Sequence, residues 1–522
     1  MKAFLMYKDL DFNPERELPP NEQTLTQDLA LNILFEAMAL GDEFLLKMAR
    51  EAVLSSLNDP DSILYRQNIL KDCIKNSSIV RDIYNEAVES IENRKRHWWG
   101  FSSRHPSSIL YSSVEALKML VGQLKKLKNM AVEHADKFDS EGFARFFAML
   151  KSELGEEYFA RIVGHLRDLK FRKGVLVSAE LGKGNKAVNF VLHKPSGKEQ
   201  SWIGRIFGQK TPVYAFRLHP RDENGAKALS DLKDRGLNLV ANALAQSAEH
   251  ILSFFHMLRT ELAFYVGCLN LNGQLVQKGE PTCFPVPAAF GERKHSYRGL
   301  YDVCLALNIT QRVMGNDVNA DQKDLVIITG ANQGGKSTFL RSIGQAQLMM
   351  QAGMFVPAES YSSEVCFNLF THYRREEDTT MKSGKLDEEL VRMSGIADNV
   401  TPNSMVLFNE SFSATNEREG SEIAGQITRA LVEKGVKVFF VTHLYEFAHG
   451  LYGRMMKNAI FLRAERMPDG TRTFRLIEGE PLQTSYGEDL YHNVFKSECP
   501  SDVDLAVGVE ACGLAPGHTF SG

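Results

Sequence analysis

The chain has 522 residues, 43% of them hydrophobic and 24% charged, with a formal net charge of -4 at pH 7. That length exceeds one ordinary domain and suggests about three, in an otherwise ordinary globular composition. So small a charge excludes a uniformly basic nucleic-acid binder, though not a local basic face inside a channel.

The opening MKAFLMYKDLDF carries Asp9 and Asp11 and lacks the apolar core of a secretory signal. No apolar run approaches the roughly 20 residues that a membrane span needs. The seven cysteines, among them Cys73, Cys268, Cys304 and Cys512, form no C-x-x-C pair and no metal-ligand spacing. They read as buried or free thiols in a reducing compartment, and the expected location is cytoplasmic.

The first 170 or so residues show apolar positions at helical spacing. Thr24-x-x-Gln27 has the form of a capping box ahead of a helical run from Leu29 to Leu57. Asn58-Asp59-Pro60 breaks that run, and Asp61-Ser62 is placed to cap the next helix. Arg94 to Gly100 interrupts the helices with basic and aromatic residues. Past Gly174 the period changes: Val175–Val177 and Val188–Leu192 are β-prone runs joined by Gly182-Lys183-Gly184-Asn185, a predicted hairpin within a small β-containing insertion ending at Pro220.

No proline interrupts Ala226 to Cys268. Leu237, Leu244, Ile251, Leu258 and Tyr265 recur every seven residues, with Ala248, Phe255 and Leu262 between them, a coiled-coil-like seam. Such a helix would span about 60 Å. It is either one long helix inside an ordinary bundle or a stiff lever with the hairpin at its tip. From Thr282 onward strands alternate with helices, the pattern of a parallel α/β domain, with buried strands at Leu325–Ile328, Met405–Phe408 and Val436–Val441. The stretch from Ser497 is aperiodic, either a loose tail or a small partner-binding element.

Gly330-Ala331-Asn332-Gln333-Gly334-Gly335-Lys336-Ser337-Thr338 matches the phosphate-binding loop G-x-x-x-x-G-K-[ST] between a strand and a helix expected near Thr338. The glycines let backbone N–H groups of Gly330, Asn332, Gly334 and Gly335 face phosphates, and the helix N-terminus adds partial positive charge. Lys336 is expected at the β- and γ-phosphates of ATP, and Ser337 at Mg²⁺. After the strand Met405–Phe408 come Asn409 and Glu410. Asn409 stands where an Asp usually holds the metal through a water, and keeps the acceptor oxygen without the charge. Glu410 is the candidate for polarising the attacking water, and His443, after the strand ending at Val441 and Thr442, for sensing the γ-phosphate.

These residues resemble the MutS DNA mismatch-repair family. Thr329–Ala358 is similar to its ATPase core, Glu410–Gly420 to its loop after the acidic pair, Phe440–His443 to its histidine strand, and Ser485-Tyr486-Gly487 to its segment after the ATPase. Weaker likeness begins at Leu57-Asn58-Asp59-Pro60. The resemblance implies two ATPase domains facing each other in a homodimer, with Ser383 and Gly384, within the segment Ser383–Glu389, near the partner's nucleotide. The chain starts almost at the helical core, so the family's mismatch-recognition domain is not expected; Phe290-Gly291-Glu292 fits the letters of its wedge but lies beside the ATPase and reads as coincidence.

The expected fold is multidomain: an all-α core or lever domain over 1–280 with the β-containing insertion at 174–220, an α/β P-loop ATPase domain of the ABC type over 281–496, and a tail over 497–522. The expected function is an ATP-dependent DNA clamp acting on mispaired, branched or recombination intermediates, with a downstream repair protein as a possible partner. The rival is a nucleotide-gated scaffold that hydrolyses little ATP and recruits a protein. Arg94–Trp99, Lys125-Lys126-Lys128 and Lys183/Lys186 are basic clusters that either touch DNA phosphates or form solvated faces.

Overall fold

The architecture was obtained as a computed structural model that describes residues 1–98, 105–171, 174–193, 214–375, 384–454, 456–467 and 470–483. The first half is helical: α1 (Glu22–Asp28), α2 (Leu31–Ala39), α3 (Glu43–Leu54), α4 (Pro60–Lys75), α5 (Ser77–Trp98), α6 (Pro106–His134), α7 (Glu141–Glu153) and α8 (Glu156–Asp168). The predicted capping box is not used. Thr24 lies inside α1, whose N-cap is Asn21, because the turn from Pro19 begins the helix three residues earlier than the sequence pattern suggests. The run from Leu29 to Leu57 is two helices, parted where Leu40 and Gly41 turn left-handed and the Asp42 carboxylate caps α3. Asp59, rather than Asp61, caps α4 by accepting from Ser62 N, with Pro60 at the first helical position where its missing N–H costs nothing.

The hairpin forms as expected, β1 (Leu176–Leu181) pairing antiparallel with β2 (Ala187–His193). The rest of the predicted insertion up to residue 213 lies outside the described residues. Then comes α9 (Glu223–Lys278), 56 residues long and longer than the proline-free run implied. Asp222 caps its start and Gly279, at φ 70°, ends it. At 1.5 Å per residue it spans about 84 Å. Its heptad seam is buried except for half-buried Leu244: Leu237, Ala248, Ile251, Phe255, Leu258, Leu262 and Tyr265 face the core, packed on α5, α6, α2 and α3. The hairpin sits near its start, where Val177 lies so close that a Cβ on Gly236 would come within 2.6 Å.

Two sheets follow. β3 (Val286–Ala288), β4 (His295–Leu300) and β5 (Asn316–Asn319), with α10 (Val303–Asn308) between the last two, join β7 (Ser360–Glu364) in a four-stranded mixed sheet of order β3-β7-β4-β5 that the alternation pattern did not foretell. The Phe290-Gly291-Glu292 triplet is a turn here, Phe290 stacked on Phe367 at 4.2 Å and Glu292 holding Ala289 N. The second sheet has six strands. β6 (Leu325–Gly330) leads into α11 (Lys336–Gln351), and β8 (Leu369–Tyr373), α12 (Lys385–Asn399), β9 (Met405–Asn409), α13 (Glu417–Glu433), β10 (Lys437–Val441), α14 (Tyr445–Tyr452), β11 (Ala459–Arg466) and β12 (Arg472–Glu478) complete it in the order β12-β11-β6-β10-β9-β8. All pairs are parallel except β11–β12. The three predicted buried strands are its adjacent centre, apolar on both faces because helices cover both.

Candidate nucleotide site

β6 ends at Gly330 with φ 105°, and the loop returns through Gln333 at φ 57° and Gly335 at φ 86° before α11 begins at Lys336. Neighbouring β11 explains why glycines stand here: a Cβ on Gly330 would lie 2.8 Å from Ala464 N, and one on Gly334 2.6 Å from Ala464 Cβ. The backbone of Asn332 is held from the far side, its carbonyl accepting from Arg472 Nε at 3.2 Å. Thr338 follows in the first turn of α11, half-buried.

Lys336 is buried, and its Nζ donates to Gly330 O at 2.8 Å and Ala331 O at 3.0 Å. Burial pushes its pKa below the ordinary lysine value; Glu410 opposes that shift and Arg472 adds to it. Both charges therefore act on the loop lysine, though Arg472 carried no signal in the sequence. Ser337 Oγ donates to Asn409 Oδ1 at 2.9 Å. The two residues expected at the metal, 72 positions apart, are thus in direct contact.

Glu410 is half-buried at the end of β9 with φ 54°, its N–H donating to Val441 O at 2.9 Å. That bond latches the acidic turn to β10. Thr442 N donates to Ile328 O at 3.0 Å, and Thr442 Oγ1 accepts from Leu444 N, which leaves His443 as the exposed residue where β10 gives way to α14. Gly384 is the N-cap of α12, in open surface where a Cβ would meet nothing within 4 Å. Ser383, the Ser485-Tyr486-Gly487 segment and the tail from 497 lie outside the described residues.

The β11–β12 hairpin supplies what sequence reasoning missed. Besides Ala464 and Arg472 it brings Phe474, with φ 59°, beside Gly335. Asn316 of β5 fixes it, donating to Phe474 O at 3.3 Å and accepting from Leu476 N at 2.7 Å. A hairpin made by the last parallel strand and its antiparallel return has no spacing that ties it to a loop more than 130 residues upstream.

The basic clusters fare differently from one another. α5 runs through Arg94, which is buried and paired with Glu249 of α9 at 3.2 Å, so the helix continues to Trp98 where an interruption was expected; Trp99 and Gly100 lie outside the described residues. Lys125 and Lys128 reach Glu156, and Lys126 reaches Glu86 and Glu89. Lys183 and Lys186 stand exposed at the hairpin turn. Among the described residues five cysteines are free thiols, no group of three or more His, Cys, Asp or Glu is placed to hold a metal, and no helix is long and apolar enough to cross a membrane.

A hydroxyl and an amide oxygen in contact beside a lysine-bearing glycine loop are hard oxygen donors that suit Mg²⁺ with a triphosphate. The fold and this loop define a helix-rich, multidomain protein that carries a domain of the P-loop ATPase class. Two family models match: the MutS2 N-terminal domain over residues 58–278 and MutS domain V over 326–500. The chain belongs to the MutS family. Among its relatives, the DNA mismatch repair protein MutS of Thermotoga maritima is 33% identical over 180 residues, 34% of this chain and 23% of that protein. The protein of that name from Chlorobium chlorochromatii is 35% identical over 263 residues, 47% of this chain and 30% of its own length. MutS protein homolog 4 of Mus musculus is 28% identical over 170 residues, 33% of this chain and 17% of the mouse protein. The matched part is thus about a quarter of the length of the first of these relatives.

Proposed function

We propose that the chain is an ATP-dependent DNA-binding protein of the MutS type, an ATPase clamp that acts in repair or recombination on mispaired or branched DNA. The observation that carries this reading is the Ser337–Asn409 contact at the start of the P-loop helix. It brings two oxygen donors together beside Lys336 and next to Glu410 in sequence, which supports reading them as metal-holding residues. Bound Mg²⁺-ATP would supply the electrophilic γ-phosphorus. The loop N–H groups and Lys336, whose Nζ now bonds the Gly330 and Ala331 carbonyls, would hold the phosphates. Ser337, and Asn409 through a water, would hold the metal, Glu410 would polarise the attacking water, and His443 would sense the γ-phosphate. Two copies would face each other, Ser383 and Gly384 of each closing the other's site. The 56-residue α9 would carry that closure toward the hairpin. We place the protein in the cytoplasm, with a downstream repair protein as its partner.

A binding panel of duplex, mispaired, forked and four-way DNA at one fixed salt concentration, with and without ATP, tests the clamp. Nucleotide-dependent preference for a non-duplex form is expected; equal affinity for all four in both states would sink it.

A second reading, a nucleotide-gated scaffold that recruits a protein partner, is favoured by one observation. The residue facing Ser337 is the uncharged Asn409. Single-turnover hydrolysis separates the two: the clamp requires wild type to outpace Glu410→Gln, and the scaffold requires parity.

A further inference from the structure

Directly after Glu410 the chain enters a buried hydrogen-bond network that the reading above leaves unused. Ser411 and His372 are fully buried, and Ser411 Oγ lies 2.7 Å from His372 Nδ1. His372 Nε2 lies 2.9 Å from the carbonyl oxygen of Glu389, the fifth residue of α12. A carbonyl only accepts, so Nε2 carries the proton of the neutral ring, and the Ser411 hydroxyl, with one proton to give, is held against both acceptors of His372, Nδ1 and the backbone carbonyl oxygen at 2.6 Å. The ring is neutral: burial, aided by Arg392 and Arg375, pushes its pKa down to about 4. The Glu389 carboxylate takes a second grip, accepting from Phe412 N at 2.7 Å, and the Phe412 ring stacks on His372 at 5.2 Å. Arg392, one turn further along α12, donates to Tyr373 O at 3.0 Å.

This clamp acts on strained backbone. Glu410 and Phe412 both adopt left-handed φ, 54° and 62°, without being glycine. Left-handed backbone is unfavourable for any residue with a Cβ. The strain fixes the direction in which Glu410 leaves β9, and the bonds to Ser411 and Phe412 hold it there. Every one of those bonds ends on α12 or on the edge strand β8 beneath it. The N-cap of α12 is Gly384, which is proposed above to close the other copy's site.

We propose that His372, Ser411 and Glu389 are positioning residues that set the aim of Glu410 according to how α12 is seated, so that engagement of α12 by a second copy's nucleotide is felt at the water-polarising carboxylate of the same chain. The inference rests on the proposed role of Glu410. A displacement of about 1 Å at that carboxylate is enough to cost about a hundredfold in rate.

The test measures single- and multiple-turnover ATP hydrolysis and the Kd of a fluorescent ATP analogue on the full chain. The variants are Ser411→Ala, His372→Gln, His372→Ala, Glu410→Gln and the double variant Ser411→Ala/Glu410→Gln. Ser411→Ala is expected to lower kcat about tenfold or more, with Kd within about twofold of wild type. His372→Gln, whose amide still reaches the Glu389 carbonyl, retains more activity than His372→Ala. In the Glu410→Gln background the Ser411 change should cost nothing further, since it acts only through the lost carboxylate. Wild-type kcat in Ser411→Ala, an equal loss in both backgrounds, or a loss carried by Kd overturns the inference alone. Wild type no faster than Glu410→Gln removes the role of Glu410, and the positioning with it.

Discussion

Arg66 of α4 is fully buried and donates from Nη1 to Ala352 O at 3.3 Å, just past the last residue of the P-loop helix. Its Nε donates to Met6 O at 2.7 Å, and its guanidinium lies 4.6 Å from the Tyr7 ring centroid. One side chain therefore joins the helical core, the N-terminal strap of residues 1–12 and the far end of the helix that begins at the phosphate loop. Gln345 and Gln351 of α11 reinforce the joint through Leu29 O and Leu57 O.

Gly353 tests this joint. Its φ of 81° disfavours any side chain, and a Cβ would come within 2.5 Å of Arg66 Cβ. Gly353→Ala is expected to destabilise the fold by about 2–3 kcal/mol. A denaturant midpoint equal to wild type in circular dichroism would contradict the packing described.

Glu261 of α9 is fully buried against the N-terminal strap, accepting from Leu5 N at 2.6 Å and Phe12 N at 3.4 Å. Burial dominates those bonds and raises its pKa to about 7. The folded state therefore holds this proton more tightly than the unfolded chain does. The associated stability is full below about pH 4.5 and is lost as pH rises through about 7, by up to about 3 kcal/mol. Glu261→Gln should flatten that part of the stability profile and exceed wild type at pH 8. Parallel profiles for the two proteins from pH 5 to 8 would refute it.

Asn409→Asp restores a charge opposite Ser337. Half-maximal hydrolysis is expected at about fivefold to tenfold less Mg²⁺ than in wild type, since ligand charge sets affinity for a hard cation. An unchanged Mg²⁺ titration would mean that Asn409 does not serve the metal.

Lys183 and Lys186 are the exposed lysines at the hairpin turn, whereas Lys125, Lys126 and Lys128 already face carboxylates. If DNA passes the hairpin, Lys183→Ala/Lys186→Ala should weaken binding and reduce the slope of log K against log salt by about 1.8. Changing the three helical lysines should leave that slope within error. The reverse result would move the DNA path to α6.

Lys336→Ala is expected to abolish uptake of labelled nucleotide. Retained uptake would detach the phosphate loop from the function proposed here.

The sequence by itself determined whatever depends on neighbours within one element. The phosphate loop from Gly330 to Thr338 is contiguous, the buried strands are apolar runs, and the seam of α9 repeats every seven residues, so each was legible without the third dimension. Helix starts were misread at Thr24 and Asp61 because several polar residues compete to cap and only the local chain path chooses among them. The tertiary structure alone decided the rest. Arg472 and Phe474 reach the loop because β11 is the strand paired with β6. Arg94 is consumed by an ion pair with a residue 155 positions away. His372, Ser411 and Glu389 meet because β8 and β9 lie side by side with α12 packed over them. A hydrogen bond between distant segments leaves no period in either of them, and burial turns such a bond from an incidental contact into a constraint on the backbone it holds.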